Sequence, residues 1–103
     1  MTATDVVRQV VWEYLRPRLR VCGDYMLVHL YPILRRIRRN GRPSGVTDTE
    51  LIDMVIAELE YLGAELWQEG PLKRSKQGAL REVRSRRVYM LPAIPDHLMP
   101  EAR

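Results

Sequence analysis

Only one cysteine, Cys22, occurs in 103 residues. An internal disulfide and a cysteine-rich zinc site are therefore excluded, and a reducing, intracellular setting is expected. Histidine is scarce as well. His29 and His97 lie far apart in the sequence, with no acid at ligand spacing, so no metal site is expected. No apolar run approaches ~18 residues, which argues against a membrane span. The opening residues Met-Thr-Ala-Thr-Asp lack the basic and apolar regions of a signal peptide, so a cytoplasmic protein is expected. The chain contains no glycine-rich phosphate loop, nucleophile elbow, paired-carboxylate arrangement, internal repeat or low-complexity segment. These absences point away from an enzyme and from a cofactor.

What the chain has is charge, sorted into blocks. From Asp48 to Glu69 there are seven acids (Asp48, Glu50, Asp53, Glu58, Glu60, Glu65 and Glu69) and no Lys or Arg. Arg35, Arg36, Arg38, Arg39 and Arg42 come before. Lys73, Arg74, Lys76, Arg81, Arg84, Arg86 and Arg87 come after, broken only by Glu82. The formal net charge is +4, and all but two of the seventeen basic residues are Arg. Arg pairs bidentately with phosphate or carboxylate and stacks on bases; codon bias in a GC-rich genome also produces such a composition. Blocks of one sign set up local potentials that attract or repel a polyanion.

At 46% hydrophobic residues the chain can bury a core, and its length fits one domain. Val6, Val7, Val10, Val11, Tyr14 and Leu15 fall on one face of a first helix. Thr4 or Asp5 can cap it, and Pro17 is expected to end it near Leu15, leaving Arg16, Arg18 and Arg20 in a link. Leu27, Leu30, Tyr31, Leu34 and Ile37 predict a second helix. Pro32 either kinks one helix from Asp24 to Arg39, the preferred reading, or opens a shorter one. Thr47-Asp48-Thr49-Glu50 reads as a capping box for a third helix. Its stripe is Leu51, Ile52, Val55, Ile56, Leu59 and Leu62, and Gly63 stops it. Leu59 and Leu62 are expected to be buried, Trp12 and Trp67 to lie in the core or at its edge, and Cys22 to be at least half buried. Ala64 to Trp67 and Arg86 to Leu91 read as strands flanking a long polar loop, Gln68 to Ser85. Residues 1–91 are read as the domain and 92–103 as a proline-rich, non-helical tail.

The segment Leu59-Glu60-Tyr61-Leu62-Gly63-Ala64-Glu65-Leu66 resembles the end of the third helix and the following strand of winged helix-turn-helix domains. Arg86-Arg87-Val88-Tyr89-Met90-Leu91 is similar to the strand that leaves the wing. The resemblance covers Pro32 to Leu91 and implies an α+β fold, a three-helix core followed by a two-stranded hairpin. It also implies a DNA-binding regulator of bacterial, phage or plasmid type. Two features depart from the pattern. Asn40 to Val46 leaves no room for a separate helix before the third, and the third helix presents acids where a groove-reading face is expected.

The candidate nucleic-acid contacts are Arg35, Arg36, Arg39 and Arg42, then Lys73, Arg74, Lys76, Arg81, Arg84 and Arg86. The alternative for the basic loop is a solvated loop that maintains solubility; for Arg35 to Arg39 it is dipole compensation at a helix end. Glu50, Asp53, Glu60 and Tyr61 form a candidate protein-interaction face on the third helix. That face could instead be merely solvated, or could dock the chain's own basic blocks, within one molecule or between copies in a homodimer or head-to-tail oligomer. The two functional readings are thus duplex DNA binding and an adaptor that binds a protein partner.

Overall fold

A computed structural model describes residues 2–19 and 24–92. The fold is α+β, with three helices and a small antiparallel sheet. Cys22, Arg20 and the tail beyond Pro92, including His97, lie outside the described residues.

The first helix, α1, spans Ala3–Leu19 and buries Val7, Val10, Val11, Trp12 and Leu15. Its cap is Thr2, one turn earlier than expected. The Thr2 hydroxyl accepts from the Asp5 N–H at 3.1 Å, and the Asp5 carboxylate accepts from the Thr2 N–H at 3.2 Å. Aspartate thus takes the place glutamate holds in the usual capping box. The helix also runs past Leu15 with Pro17 inside it, so Arg16 and Arg18 are helical rather than in a link. Pro17 forgoes the bond its N–H would donate to the Glu13 carbonyl and crowds that carbonyl, but only Arg18 and Leu19 follow it in the helix. Arg18 Nη1 donates to the Tyr14 carbonyl at 2.7 Å and supplies that turn with a further hydrogen bond.

The expected long second helix is replaced by a strand and a shorter helix. Strand β1 is Tyr25–His29, with Met26 and Val28 buried and Tyr25, Leu27 and His29 outside. Helix α2 follows at once, Leu30–Asn40, and buries Leu30, Ile33, Leu34 and Ile37. Pro32 falls in its first turn, where the backbone N–H groups have no acceptor within the helix, so it causes no kink. The Leu30 N–H finds its acceptor in the Arg87 carbonyl at 3.1 Å.

Helix α3, Asp48–Tyr61, carries the expected capping box: the Glu50 N–H donates to the Thr47 hydroxyl at 3.2 Å and the Thr47 N–H to the Glu50 carboxylate at 3.3 Å. Gly63 follows at φ 92°, a conformation that favours glycine and turns the chain out of the helix. Leu51, Val55, Ile56, Leu59 and Leu62 are buried and Ile52 is half-buried.

Strand β2, Glu65–Gln68, leads into a region expected to be a loop. Within it β3, Leu72–Arg74, pairs with β4, Leu80–Glu82, as a two-stranded ribbon. A 3-10 turn, Arg84–Arg86, then leads to β5, Val88–Pro92. The sheet order is β1-β5-β2, so the last strand lies between the other two. A bulge at Trp67 interrupts the β2 pairing, and Trp67 is 58% exposed rather than in the core; Trp12 is buried. The inner face of the sheet (Met26, Val28, Tyr89 and Leu91) joins the helices' apolar stripes in one cluster.

Glu58 is the one buried charge among the described residues. Arg8 Nε donates to its carboxylate at 3.0 Å, tying α3 to α1. Arg8→Met leaves that carboxylate without its cation and is expected to lower stability by roughly 1–3 kcal/mol. The double variant Arg8→Met, Glu58→Met should recover most of the loss in urea denaturation. Equal losses in the two would show that the pairing is incidental.

Candidate nucleic-acid interface

With its leucines and isoleucines turned inward, α2 presents Arg35, Arg36, Arg38 and Arg39 on its other side, where they are exposed or half-buried. The end of α1 lies beside them. Tyr14, Arg18, Pro32, Arg35, Arg36 and Arg39 line a concavity of about 220 Å³. Arg18 lies over the Tyr14 ring at 3.7 Å from its centroid, and Arg36 approaches the same ring at 5.6 Å. Tyr31 repeats the pattern, with Arg86 at 3.9 Å and Arg35 at 5.8 Å. Stacking on an aromatic face orients a guanidinium without neutralising it. Two tyrosines therefore hold four arginines in a row from the end of α1, across α2, to the 3-10 turn.

Sequence reasoning missed Tyr14, Arg18 and Tyr31. The signal was present: Tyr14 and Arg18, and Tyr31 and Arg35, are each four residues apart on a helix and so stack one above the other. Among the described residues Arg35, Arg36 and Arg39 make no ion pair.

The remaining basic candidates divide into two groups. Arg42 is held by Asp48 at 2.5 Å, with Arg38 at 3.6 Å from the same oxygen. Arg84 is paired with Asp53 of α3. These two candidates are engaged by the acidic helix, as the self-docking alternative anticipated for part of the charge. Lys73, Arg74, Lys76 and Arg81 are exposed on the ribbon. Lys73 faces Arg81 directly across it, an arrangement of like charges that disfavours the isolated ribbon. Arg74 reaches only the Gly78 carbonyl, at 3.4 Å. On α3, Glu50 is engaged in its cap and Asp53 with Arg84, while Glu60 and Tyr61 are exposed.

The ribbon is fixed at its base. The Glu82 carboxylate receives Arg87 Nε and Nη2, both at 2.7 Å, and the Gly70 N–H at 2.7 Å; Arg87 Nη1 also donates to the Tyr89 hydroxyl at 3.2 Å. Gly70 has to be glycine, because a Cβ there would lie 1.9 Å from the Val83 carbonyl oxygen. The Arg87 hydrogen bonds, followed by that of Gly70 and the nearby positive charge, hold the Glu82 carboxyl down at about 2. The same contact holds Arg87 above its ordinary value.

No His, Cys, Asp and Glu cluster able to hold a metal ion occurs among the described residues, and no described helix is long and apolar enough to cross a membrane. Comparison with protein-family models, curated proteins and solved structures returns no match.

The Glu82 carboxyl gives a pH prediction. The free group titrates near 4.5 and the folded one at about 2, so between these values the unfolded chain binds more protons. The contribution is complete above the upper value and disappears as pH falls through the lower. In thermal unfolding, Glu82→Gln should be less stable than wild type near neutrality, and the gap should close as pH falls through that window. A gap independent of pH would show that Glu82 is not held in this way.

Proposed function

We propose that this chain is a winged-helix-like protein that binds duplex DNA through its phosphates. The element order supports the scaffold. A strand follows the first helix, two helices come next, and the final strand lies between β1 and β2, with the β3–β4 ribbon in the position of a wing. The observation that carries the function is the stacked row of Arg18, Arg36, Arg35 and Arg86 on Tyr14 and Tyr31. Cations fixed in orientation and left without carboxylate partners lose little freedom on meeting a phosphate row.

In this reading the row grips one stretch of backbone, and Lys73, Arg74, Lys76 and Arg81 of the wing grip another. Arg42 and Arg84 are secondary, because Asp48 and Asp53 already hold them. The same pairs lessen the repulsion between α3 and phosphates, although Glu60 remains exposed. Sequence discrimination is weak unless a wing arginine enters a minor groove. A second reading, an adaptor that docks a protein, draws its support from exposed Glu60 and Tyr61 on α3.

Replacing Arg35, Arg36 and Arg39 with Ala should weaken binding to random duplex and flatten its log–log salt slope by up to ~3 units, since each lost phosphate contact removes ~0.9. Replacing Lys73, Arg74, Lys76 and Arg81 should flatten it by up to ~4. Arg84→Ala should change it by less than either. The replacements at exposed Arg35, Arg39 and the ribbon cations should leave stability within ~0.5 kcal/mol each. Folded variants with unchanged slope would exclude the mechanism.

A further inference from the structure

The concavity between α1 and α2 gathers more positive charge than a contact with one stretch of duplex backbone calls for. Pro32, Arg35, Arg36 and Arg39 stand at i, i+3, i+4 and i+7, a single stripe of α2. Tyr14 and Arg18 stand four residues apart on α1. Packing of α1 on α2 sets the two stripes around one space of about 220 Å³. Four of its six lining residues are arginines, and none is an acid. Dipole compensation explains a cation at the end of each helix, but not their convergence on one space.

The four guanidiniums are held to different degrees. Arg18 is fixed twice, by the Tyr14 ring at 3.7 Å from its centroid and by the Tyr14 carbonyl at 2.7 Å. Arg36 is half-buried and lies 5.6 Å from the same ring centroid. Like charges drawn to one ring repel each other, and no carboxylate among the described residues pairs with either. Arg35 and Arg39 line the same space and are exposed, so they are free to close over a bound group. An anion that relieves this repulsion has to carry several charges in a small volume. A strand of nucleic acid spreads its charge along its length, one per phosphate. A terminal phosphate alone carries about −1.5 to −2 at pH 7, and each phosphoryl group linked behind it adds about one more. The space is several times the ~30 Å³ share of a water molecule, so it admits more than one phosphoryl group.

We infer that the concavity between α1 and α2 is a binding site for a short phosphate chain, two or three linked phosphoryl groups. Such a chain is carried by a nucleoside di- or triphosphate and by a triphosphorylated 5′ end of RNA. Arg18 and Arg36, already oriented by Tyr14, hold the inner phosphoryl oxygens. Arg35 and Arg39 fork onto the outer ones, where a planar guanidinium can donate two parallel hydrogen bonds. The site shares Arg18, Arg35 and Arg36 with the proposed duplex contact but does not rest on it, and its test contains no duplex.

The test is isothermal titration of the whole chain with inorganic triphosphate, in buffer without divalent cations. Saturable binding at one site per chain is expected, at least ~10-fold tighter than binding of orthophosphate, because the linked phosphoryls add at least one charge-assisted contact. Arg39→Gln, at an exposed residue, should weaken triphosphate binding ~10-fold, and Arg36→Gln with Arg39→Gln should weaken it further. Circular dichroism establishes that the variants fold; Arg39→Gln alone decides if loss of half-buried Arg36 disturbs the packing. Replacing Lys73, Arg74, Lys76 and Arg81 with Ala should change the affinity by less than ~3-fold, through net charge alone. Adenosine triphosphate that binds more tightly than inorganic triphosphate would support the inference and assign the site to a free nucleotide. A 5′-triphosphorylated RNA that exceeds both, and exceeds the same strand with a 5′ hydroxyl, would support it and assign the site to a strand end. Absence of saturable binding, equal affinity for orthophosphate and triphosphate, or an equal loss in the ribbon variant would each overturn it. None of these three results bears on the salt slope with duplex, so the two proposals fail separately.

Discussion

Three of the five acids of α3 are paired with arginines from three other parts of the chain. Arg8 of α1 meets Glu58, Arg42 of the loop between α2 and α3 meets Asp48, and Arg84 from the turn beyond the β3–β4 ribbon meets Asp53. The two pairs at Asp48 and Asp53 are exposed and contribute little stability each, on the order of 0–1 kcal/mol. Their larger effect is on which charges remain. By engaging Arg42 and Arg84 they divide the basic residues into a structural set and a set without carboxylate partners. The Arg84 contact also ties the 3-10 turn to α3, two residues before Arg86 covers Tyr31.

Strand β5 supplies the mechanical link between the core and the β3–β4 ribbon. It pairs with β1 on one side and β2 on the other, so the strand that returns from the ribbon lies in the centre of the sheet. The Arg87 carbonyl accepts from the first residue of α2, while its guanidinium grips Glu82 at the end of β4. One residue thus joins the base of the ribbon to the helix that carries Arg35, Arg36 and Arg39. The ribbon beyond this lock makes few contacts with the core, and its exposed leucines and cations are consequently available to partners.

Local signals in the sequence were legible where they were chemically unambiguous. Thr47 and Glu50 fixed the start of α3, Gly63 its end, and the aliphatic stripe its buried face. Strand β1 was hidden because Tyr-Met-Leu-Val-His has apolar residues on both faces, so alternation leaves no mark against helical spacing. Pro17 misled as a stop, since α1 runs on to Leu19, and Pro32 as a kink, since it sits in the first turn of α2, where no N–H needs an acceptor within the helix. The candidate site was half legible. Clustering of cations is a property of sequence, but which cations are neutralised depends on long-range contacts such as Arg84 with Asp53, 31 residues apart. The charge blocks, segregated along the chain, are interleaved in space.

The central claim is that the arginines without carboxylate partners and the wing cations form a surface for nucleic-acid phosphates. Titration of the wild-type chain with random-sequence duplex at two or more salt concentrations tests it most directly. Engagement of the four stacked arginines and the four ribbon cations together predicts a log–log slope of magnitude up to ~7, from ~0.9 per phosphate neutralised. A slope near zero, or no binding at low salt, would contradict it.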